Sequence, residues 1–248
     1  MHNVILYCKS YSGDVQRVKK LKSSIERYNR DNIPFYISCP KQDKQLFEDT
    51  LGTENYTLLL DEDIVTLNHP RYSDGWRSQQ IIKSSIHKLK ITKNYLCLDS
   101  DSYFITDFYK SDFITKDDIP YTIIHENKEI SQYKKLFFNS NFSKGAYKET
   151  LDIYRKVFGS RYTKLYDYGP NPYIWSCEVW EHLEENYLKP NNFTFESFSR
   201  STEYQFNIQM REAIVYGEYL LNTQLFEIIP SGPLFKVYHW KEMVEFEQ

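Results

Sequence analysis

Tyr95-Leu96-Cys97-Leu98-Asp99-Ser100-Asp101-Ser102 is an apolar run that ends in two carboxylates one residue apart. The run reads as a strand buried on both faces, since alternate side chains point to opposite sides and both sides are apolar. In extended backbone, positions i and i+2 share a side, so Asp99 and Asp101 are expected to face one cation together. Their hard oxygens suit Mg²⁺ or Mn²⁺, which keep few protein ligands and bridge to the phosphate oxygens of a substrate. Ligands of open parallel sheets gather at the carboxyl ends of strands, and this pair ends one.

Working outward, Val4 to Cys8, Pro34 to Cys39 and Tyr56 to Asp61 read as three earlier strands. Helices are expected over Asp14 to Arg30, with Val15, Val18, Leu21, Ile25 and Tyr28 at helical spacing, over Gln42 to Thr50, and over Trp76 to Ile91. Strand and helix in alternation predict an α/β fold, a mostly parallel central sheet with helices on both faces. After Asp107 the pattern loosens. A strand is expected over Tyr121 to His125, helices over Ser143 to Phe158 and Ser176 to Leu188, and one long helix or two over Thr202 to Leu221. Closing strands are expected over Phe226 to Ile229 and Leu234 to His239, around the turn Pro230-Ser231-Gly232-Pro233. No linker or repeat interrupts the chain, which is read as one domain over 1–248.

The 248 residues suffice for a core without disulfides or structural metals. Aromatic residues at 17% exclude intrinsic disorder. A net charge of -3, from 31 basic and 34 acidic residues, argues against nucleic acid as a partner. No apolar stretch approaches the roughly 20 residues that span a bilayer, and the N-terminal apolar run is too short for a signal peptide. Cys8, Cys39, Cys97 and Cys177 lack paired spacing and read as buried thiols of a reducing, cytoplasmic compartment.

Three rival readings of the carboxylates fit less well, the plainest being two surface aspartates in a turn. An EF-hand loop needs Gly at its sixth position and Glu at its twelfth, where this chain has Phe104 and Lys110. A haloacid-dehalogenase phosphatase carries Asp-x-Asp on its first strand; here three strands precede it, and Tyr103 follows Asp101-Ser102.

Gly75-Trp76-Arg77-Ser78-Gln79-Gln80-Ile81-Ile82-Lys83, followed by Tyr95 to Asp101, resembles the GT-A-fold nucleotide-sugar glycosyltransferases. It looks closest to small Asp-x-Asp glycosyltransferases of bacteria and large DNA viruses, in which a Gly-Trp-x-x-Gln-Gln-x-x-Lys helix precedes the Asp-x-Asp strand. The resemblance implies a GT-A (Rossmann-like) fold with 1–107 binding the donor and 108–248 the acceptor. It implies Mn²⁺ or Mg²⁺, a UDP-, GDP- or dTDP-sugar donor, and a glycan or lipid-linked acceptor. Surface polysaccharide or glycoconjugate synthesis is the expected setting, with lipid-linked acceptors drawing the enzyme to the inner membrane face. A non-catalytic carbohydrate- or nucleotide-binding protein is the alternative that keeps the same residues.

In that fold the first strand-to-helix turn holds base and ribose. Tyr11 is then expected to stack on the base and Asp14 to accept from its edge, unless Asp14 only caps the helix. Arg77 and Lys83 offer charge to the diphosphate, and Gln79, Gln80 and Ser100 offer hydrogen bonds to the donor. Glu212-Ala213-Ile214-Val215-Tyr216-Gly217-Glu218-Tyr219 resembles a Glu-Tyr-x-x-Tyr-Gly-x-Tyr segment of the same family, departing from it at Ala213; Thr202-Glu203-Tyr204 is the alternative alignment. On a helix Glu212, Tyr216 and Tyr219 share a face, so Glu212 is expected to be the general base of an inverting transfer. Tyr216 and Tyr219, with Trp175 from the Pro170-Asn171-Pro172-Tyr173-Ile174-Trp175 loop, are expected to contact the acceptor. His239 is expected to complete the metal shell, as a late histidine does in many GT-A enzymes.

Overall fold

The computed structural model describes residues 1–69, 75–126, 144–169, 171–231 and 237–238. The expected alternation holds in the first hundred residues. β1 (His2–Lys9), β2 (Phe35–Cys39), β3 (Thr57–Leu60) and β4 (Thr92–Leu98) lie in the order β3-β2-β1-β4, and every neighbouring pair is parallel. The order turns between β1 and β4: β2 flanks β1 on one side and β4 on the other. That turning point opens a crevice beyond the carboxyl ends of the strands.

The period-two alternation of β1 splits the core into two layers. Val4, Leu6 and Cys8 pack with Leu21 and Ile25 of α1 (Val15–Tyr28) and with Phe47 of α2 (Lys44–Leu51). Ile5 and Tyr7 face the other way, onto α4 (Gly75–Ser84), α5 (Lys144–Phe158), α6 (Cys177–Leu183), α7 (Phe195–Phe206) and α8 (Glu212–Thr223). Among the described residues between β3 and α4 lies a short turn of helix, α3 (Asp61–Ile64). All four cysteines are buried free thiols. No helix among the described residues is long and apolar enough to cross a membrane.

The structure corrects the expected elements in four places. Tyr173–Ser176, expected as a loop, is a strand, β9, antiparallel to β4 at the sheet edge. Ile174 joins one core layer and Trp175 the other, so four residues alternate as a strand must. The helix from Trp76 stops at Ser84 and continues as a 3₁₀ turn over Ile86–Leu89, which Lys90 ends in the left-handed conformation at φ 53°. Of the one long helix or two expected over Thr202 to Leu221, the structure has two. Asn207, also left-handed, terminates α7, which starts earlier, at a Thr194 capping box.

Finally, Phe226 to Ile229 is not a strand. The late pairing falls instead at β10 (Pro230–Ser231), parallel to β6 (Thr122–Ile123), so the strand expected over Tyr121 to His125 is broken into β6 and β7 (His125–Glu126). β7 pairs with β8 (Tyr166–Asp167). Val237–Tyr238, β11, runs antiparallel to β5 (Tyr103–Phe104); the rest of the closing strand expected over Leu234 to His239, and Gly232-Pro233 of the expected turn, lie outside the described residues.

Candidate active site

β4, which lies between β1 and the edge strand β9, delivers the chain to Asp99, and there the backbone turns. The Ser102 amide donates to the Asp99 carbonyl at 3.0 Å. The two carboxylates therefore stand at the first and third positions of a turn, which corrects the extended geometry expected for them. Buried Asn171 holds this turn in place. Its Nδ2 donates to the Cys97 carbonyl at 3.1 Å, while its Oδ1 accepts from the Asp99 amide at 3.1 Å and the Ser102 hydroxyl at 3.3 Å. Nothing in the sequence reading singled out Asn171. The available signal was a polar side chain between two prolines, next to an aromatic run.

The loop after β1 meets the same turn from the other side of the crevice. Asp14 makes no side-chain cap on α1. Its Oδ2 accepts from the Ser100 hydroxyl at 2.7 Å and its Oδ1 from Arg17 at 2.9 Å, so the helix-cap alternative for Asp14 does not hold. The Tyr11 ring lies over Gly13, where a Cβ would fall 2.5 Å from it; only glycine lets the ring fold back this closely. The loop is anchored from below by Lys9 to Asp61 at 2.9 Å and by the Ser12 amide to Asp43 at 2.7 Å.

α4 supplies the cation. Lys83, buried rather than on a solvated face, donates to Asp99 Oδ1 at 2.5 Å and lies 3.7 Å from Glu212 Oε1. Burial alone pulls the lysine down, but Asp99, with Glu212 behind it, carries it well above its usual value. Glu212 goes the opposite way from an ordinary ion-paired carboxylate. Burial pushes it up by more than Lys83 brings it down, and Asp99 adds to the rise. The asymmetry follows from one ammonium shared by two carboxylates, with Asp99 the nearer. Gln80 accepts from the Glu212 amide at 3.3 Å, fixing the start of α8 against α4. Arg77 pairs with Glu203 at 3.1 Å, and Gln79 is half-buried. Tyr173 stands near this centre: after burial, the charges of Glu212 and Asp99 hold its hydroxyl protonated.

The residues expected at the acceptor are not brought to this surface. Trp175, Tyr216 and Tyr219 are 2%, 3% and 4% exposed and belong to the larger core layer. Tyr216 accepts from the Ser176 amide at 2.8 Å, and the Tyr219 hydroxyl meets His182 at 2.7 Å. Glu218 is fully buried and serves the fold. Arg155 donates to it at 2.9 and 3.0 Å and Tyr168 at 2.7 Å. The shared-face geometry of Glu212, Tyr216 and Tyr219 is real, but its tyrosine end is packing. His239 lies outside the described residues, as does Pro170.

The pattern of a family described as a family of unknown function (DUF6492) matches residues 3–245. No curated protein matches the chain. Among solved structures, it is similar to apo mouse xyloside xylosyltransferase 1 at 9% identity, covering 91% of this chain and 84% of that one with a TM-score of 0.47. A likeness of that degree carries nothing about chemistry.

Proposed function

We propose that this chain, which belongs to the family of unknown function DUF6492, is a metal-dependent glycosyltransferase that moves a sugar from a nucleotide-sugar donor to a hydroxyl of a glycan or glycolipid. The observation that carries this is the meeting of Lys83, Asp99 and Glu212 at the turning point of the sheet, with Asp14 and Ser100 joined across it. Ligands of open α/β sheets bind at this place.

The roles follow from position. The donor lies across the β1 loop, its base over Tyr11 and its diphosphate toward the Asp99 turn. Asp99 and Asp101 suit a divalent cation. The Asp99 side chain is 30% exposed, and Mg²⁺ or Mn²⁺ commonly takes one or two carboxylates with phosphate oxygens and water. When bound, the cation supplies Lewis-acid stabilisation of the leaving diphosphate. Lys83 orients Asp99 and keeps positive charge on the leaving side. Glu212, its carboxyl raised by burial toward the range useful for proton transfer, takes the proton of the attacking hydroxyl. Residues 1–107 thus carry the donor site and 108–248 supply the general base on the acceptor side, in a GT-A arrangement with inversion at the transferred carbon. Synthesis of a surface polysaccharide or glycoconjugate is the setting this chemistry suits.

The test is a thermal-shift screen of UDP-, GDP-, dTDP- and CMP-sugars with Mn²⁺ and with EDTA. One nucleotide class should raise the melting temperature, as any ligand selective for the folded state does. The rise should vanish in EDTA and in Asp101→Ala. No shift with any nucleotide sugar sinks the reading, and a shift indifferent to EDTA sinks its metal requirement.

A further inference from the structure

With Trp175, Tyr216 and Tyr219 locked in the core, other aromatic side chains must contact a sugar outside the charged centre. Tyr11 and Trp76 are exposed by 49% and 44%, and both belong to elements that touch the centre. They approach it from different elements. Tyr11 sits on the β1 loop, which reaches Ser100 through Asp14. Trp76 sits on α4, which reaches Asp99 through Lys83.

Trp76, Gln80 and Lys83 stand at i, i+4 and i+7, so they form one stripe along α4. Ile81 and Ile82 turn from it into the core. The inner end of the stripe is Lys83, against Asp99 and Glu212; its middle is Gln80, on the Glu212 amide; its outer end is the indole. Seven residues of helix separate Trp76 from Lys83, about 10 Å along the axis. The stripe therefore runs outward from Lys83, past Gln80 on the Glu212 amide, to an exposed indole. Tyr204 does not share this position: on α7 it points opposite the buried face of Phe195, Phe198 and Thr202.

Resting on the glycosyl-transfer reading above, we infer that Trp76 is the platform on which a pyranose ring of the acceptor stacks. An indole face suits the apolar face of a sugar ring, and its N–H suits a hydroxyl, so one exposed residue supplies both kinds of contact. The acceptor is then a carbohydrate that extends outward along α4 from the hydroxyl facing Glu212, and a bare lipid alcohol is a poor one.

The experiment is saturation-transfer NMR with methyl glycosides of glucose, galactose, mannose and N-acetylglucosamine, on protein holding diamagnetic Mg²⁺ and UDP, GDP or dTDP. Calorimetry measures nucleotide affinity on the same samples. At least one glycoside should receive saturation at its ring protons. Its dissociation constant should rise about tenfold in Trp76→Ala, rise less in Trp76→Phe, which keeps a ring face but lacks the N–H, and stay constant in Tyr109→Ala, an aromatic of equal exposure elsewhere on the surface. Nucleotide affinity should be the same in all four proteins. Should nucleotide bind while no glycoside does, or should Trp76→Ala bind glycosides as well as the wild type, the platform is refuted and glycosyl transfer is not. Loss of nucleotide affinity in Trp76→Ala gives the indole to the donor and also refutes it. Failure of every nucleotide to bind the wild type removes the glycosyl-transfer reading itself.

Discussion

Lys83 reaches Asp99 at 2.5 Å while Glu212 waits at 3.7 Å on its other side, so one buried ammonium serves two carboxylates. Removing it leaves both acids without their cation in a poorly hydrated place. Breaking a buried pair costs about 3–5 kcal/mol. The lower end applies here, because the Asp99 side chain is 30% exposed and can turn to water. Lys83→Met should lower the unfolding free energy by about 3 kcal/mol, read as a lower urea midpoint at unchanged m-value. Adding Glu212→Gln to it should recover part of the loss, since the neutral amide no longer needs the ammonium. Full stability in Lys83→Met would contradict the shared pairing.

Asn171 is a positioning residue, holding the carboxylate turn through its amide and carbonyl. Asn171→Ala removes three hydrogen bonds and leaves the Asp99 amide unmet, at about 1–3 kcal/mol. Its more telling effect should be on nucleotide binding in Mn²⁺, which loosens as the turn does. Calorimetry should show weakened nucleoside diphosphate binding in protein that still unfolds cooperatively. Native affinity would remove the residue from any role in the site.

The front half was legible because its signals are local. β1 and β4 are buried on both faces and read as continuous apolar runs, and α1 carries its core residues at helical spacing. The carboxylate turn and Lys83 were legible as motifs, although the burial of Lys83 depends on Glu212 arriving from 129 residues later in the chain, which no local pattern shows. β9 was missed because four residues at a sheet edge give almost no period, and its pairing partner β4 is distant. The aromatics of the back half were misassigned for a different reason. A tyrosine on the same helical face as a functional glutamate looks the same whether its hydroxyl meets a ligand or, as for Tyr216, the Ser176 amide.

Gly217 offers a test of that packing. A Cβ there would fall 2.1 Å from the Tyr168 ring, and the ring cannot retreat because its hydroxyl is tied to Glu218 at 2.7 Å. Alanine gains about 1 kcal/mol over glycine inside a helix. Overpacking by a methyl costs about 1–3 kcal/mol or more, and with a contact this short it wins. Gly217→Ala should lose about 2 kcal/mol net, a fall of roughly 4–8 °C in melting temperature for a chain of this size. A stabilised variant would show that Tyr168 does not lie across α8.

Glu184 predicts an acid limb of stability. Burial alone would raise it, but His87 at 2.7 Å and Lys88 at 3.0 Å bring it down to about 2. A lowered carboxylate stabilises the fold in its charged form. That contribution is complete above the ordinary value of about 4.3 and fades as pH falls from there toward the folded value. Between pH 5 and 3 the wild type should therefore lose more stability than Glu184→Gln, as read from urea midpoints at each pH. Parallel losses in the two proteins would rule the contribution out.

Glu212 has the opposite sign. Burial raises its carboxyl, so the neutral form is the one the fold prefers. Its contribution is complete below about 4.3 and is lost as pH rises through the raised folded value, so Glu212→Gln should gain stability relative to the wild type from acid to neutral pH. For a general base the same shift moves the acid limb of kcat/KM upward from the ordinary carboxylate range, and the limb should vanish in Glu212→Gln. Turnover should fall by about 10²–10⁴ with donor affinity nearly unchanged. A collapse of donor affinity would make Glu212 a donor ligand instead. Unchanged turnover would leave Glu203, of the alternative Thr202-Glu203-Tyr204 alignment, as the candidate, since Glu218 on the same helix as Glu212 is enclosed by Arg155 and Tyr168. Product analysis by NMR decides the stereochemistry that the role assumes. Retained configuration would remove the need for a base on the acceptor side and would leave Glu212 as the partner that, with Asp99, fixes Lys83 in place.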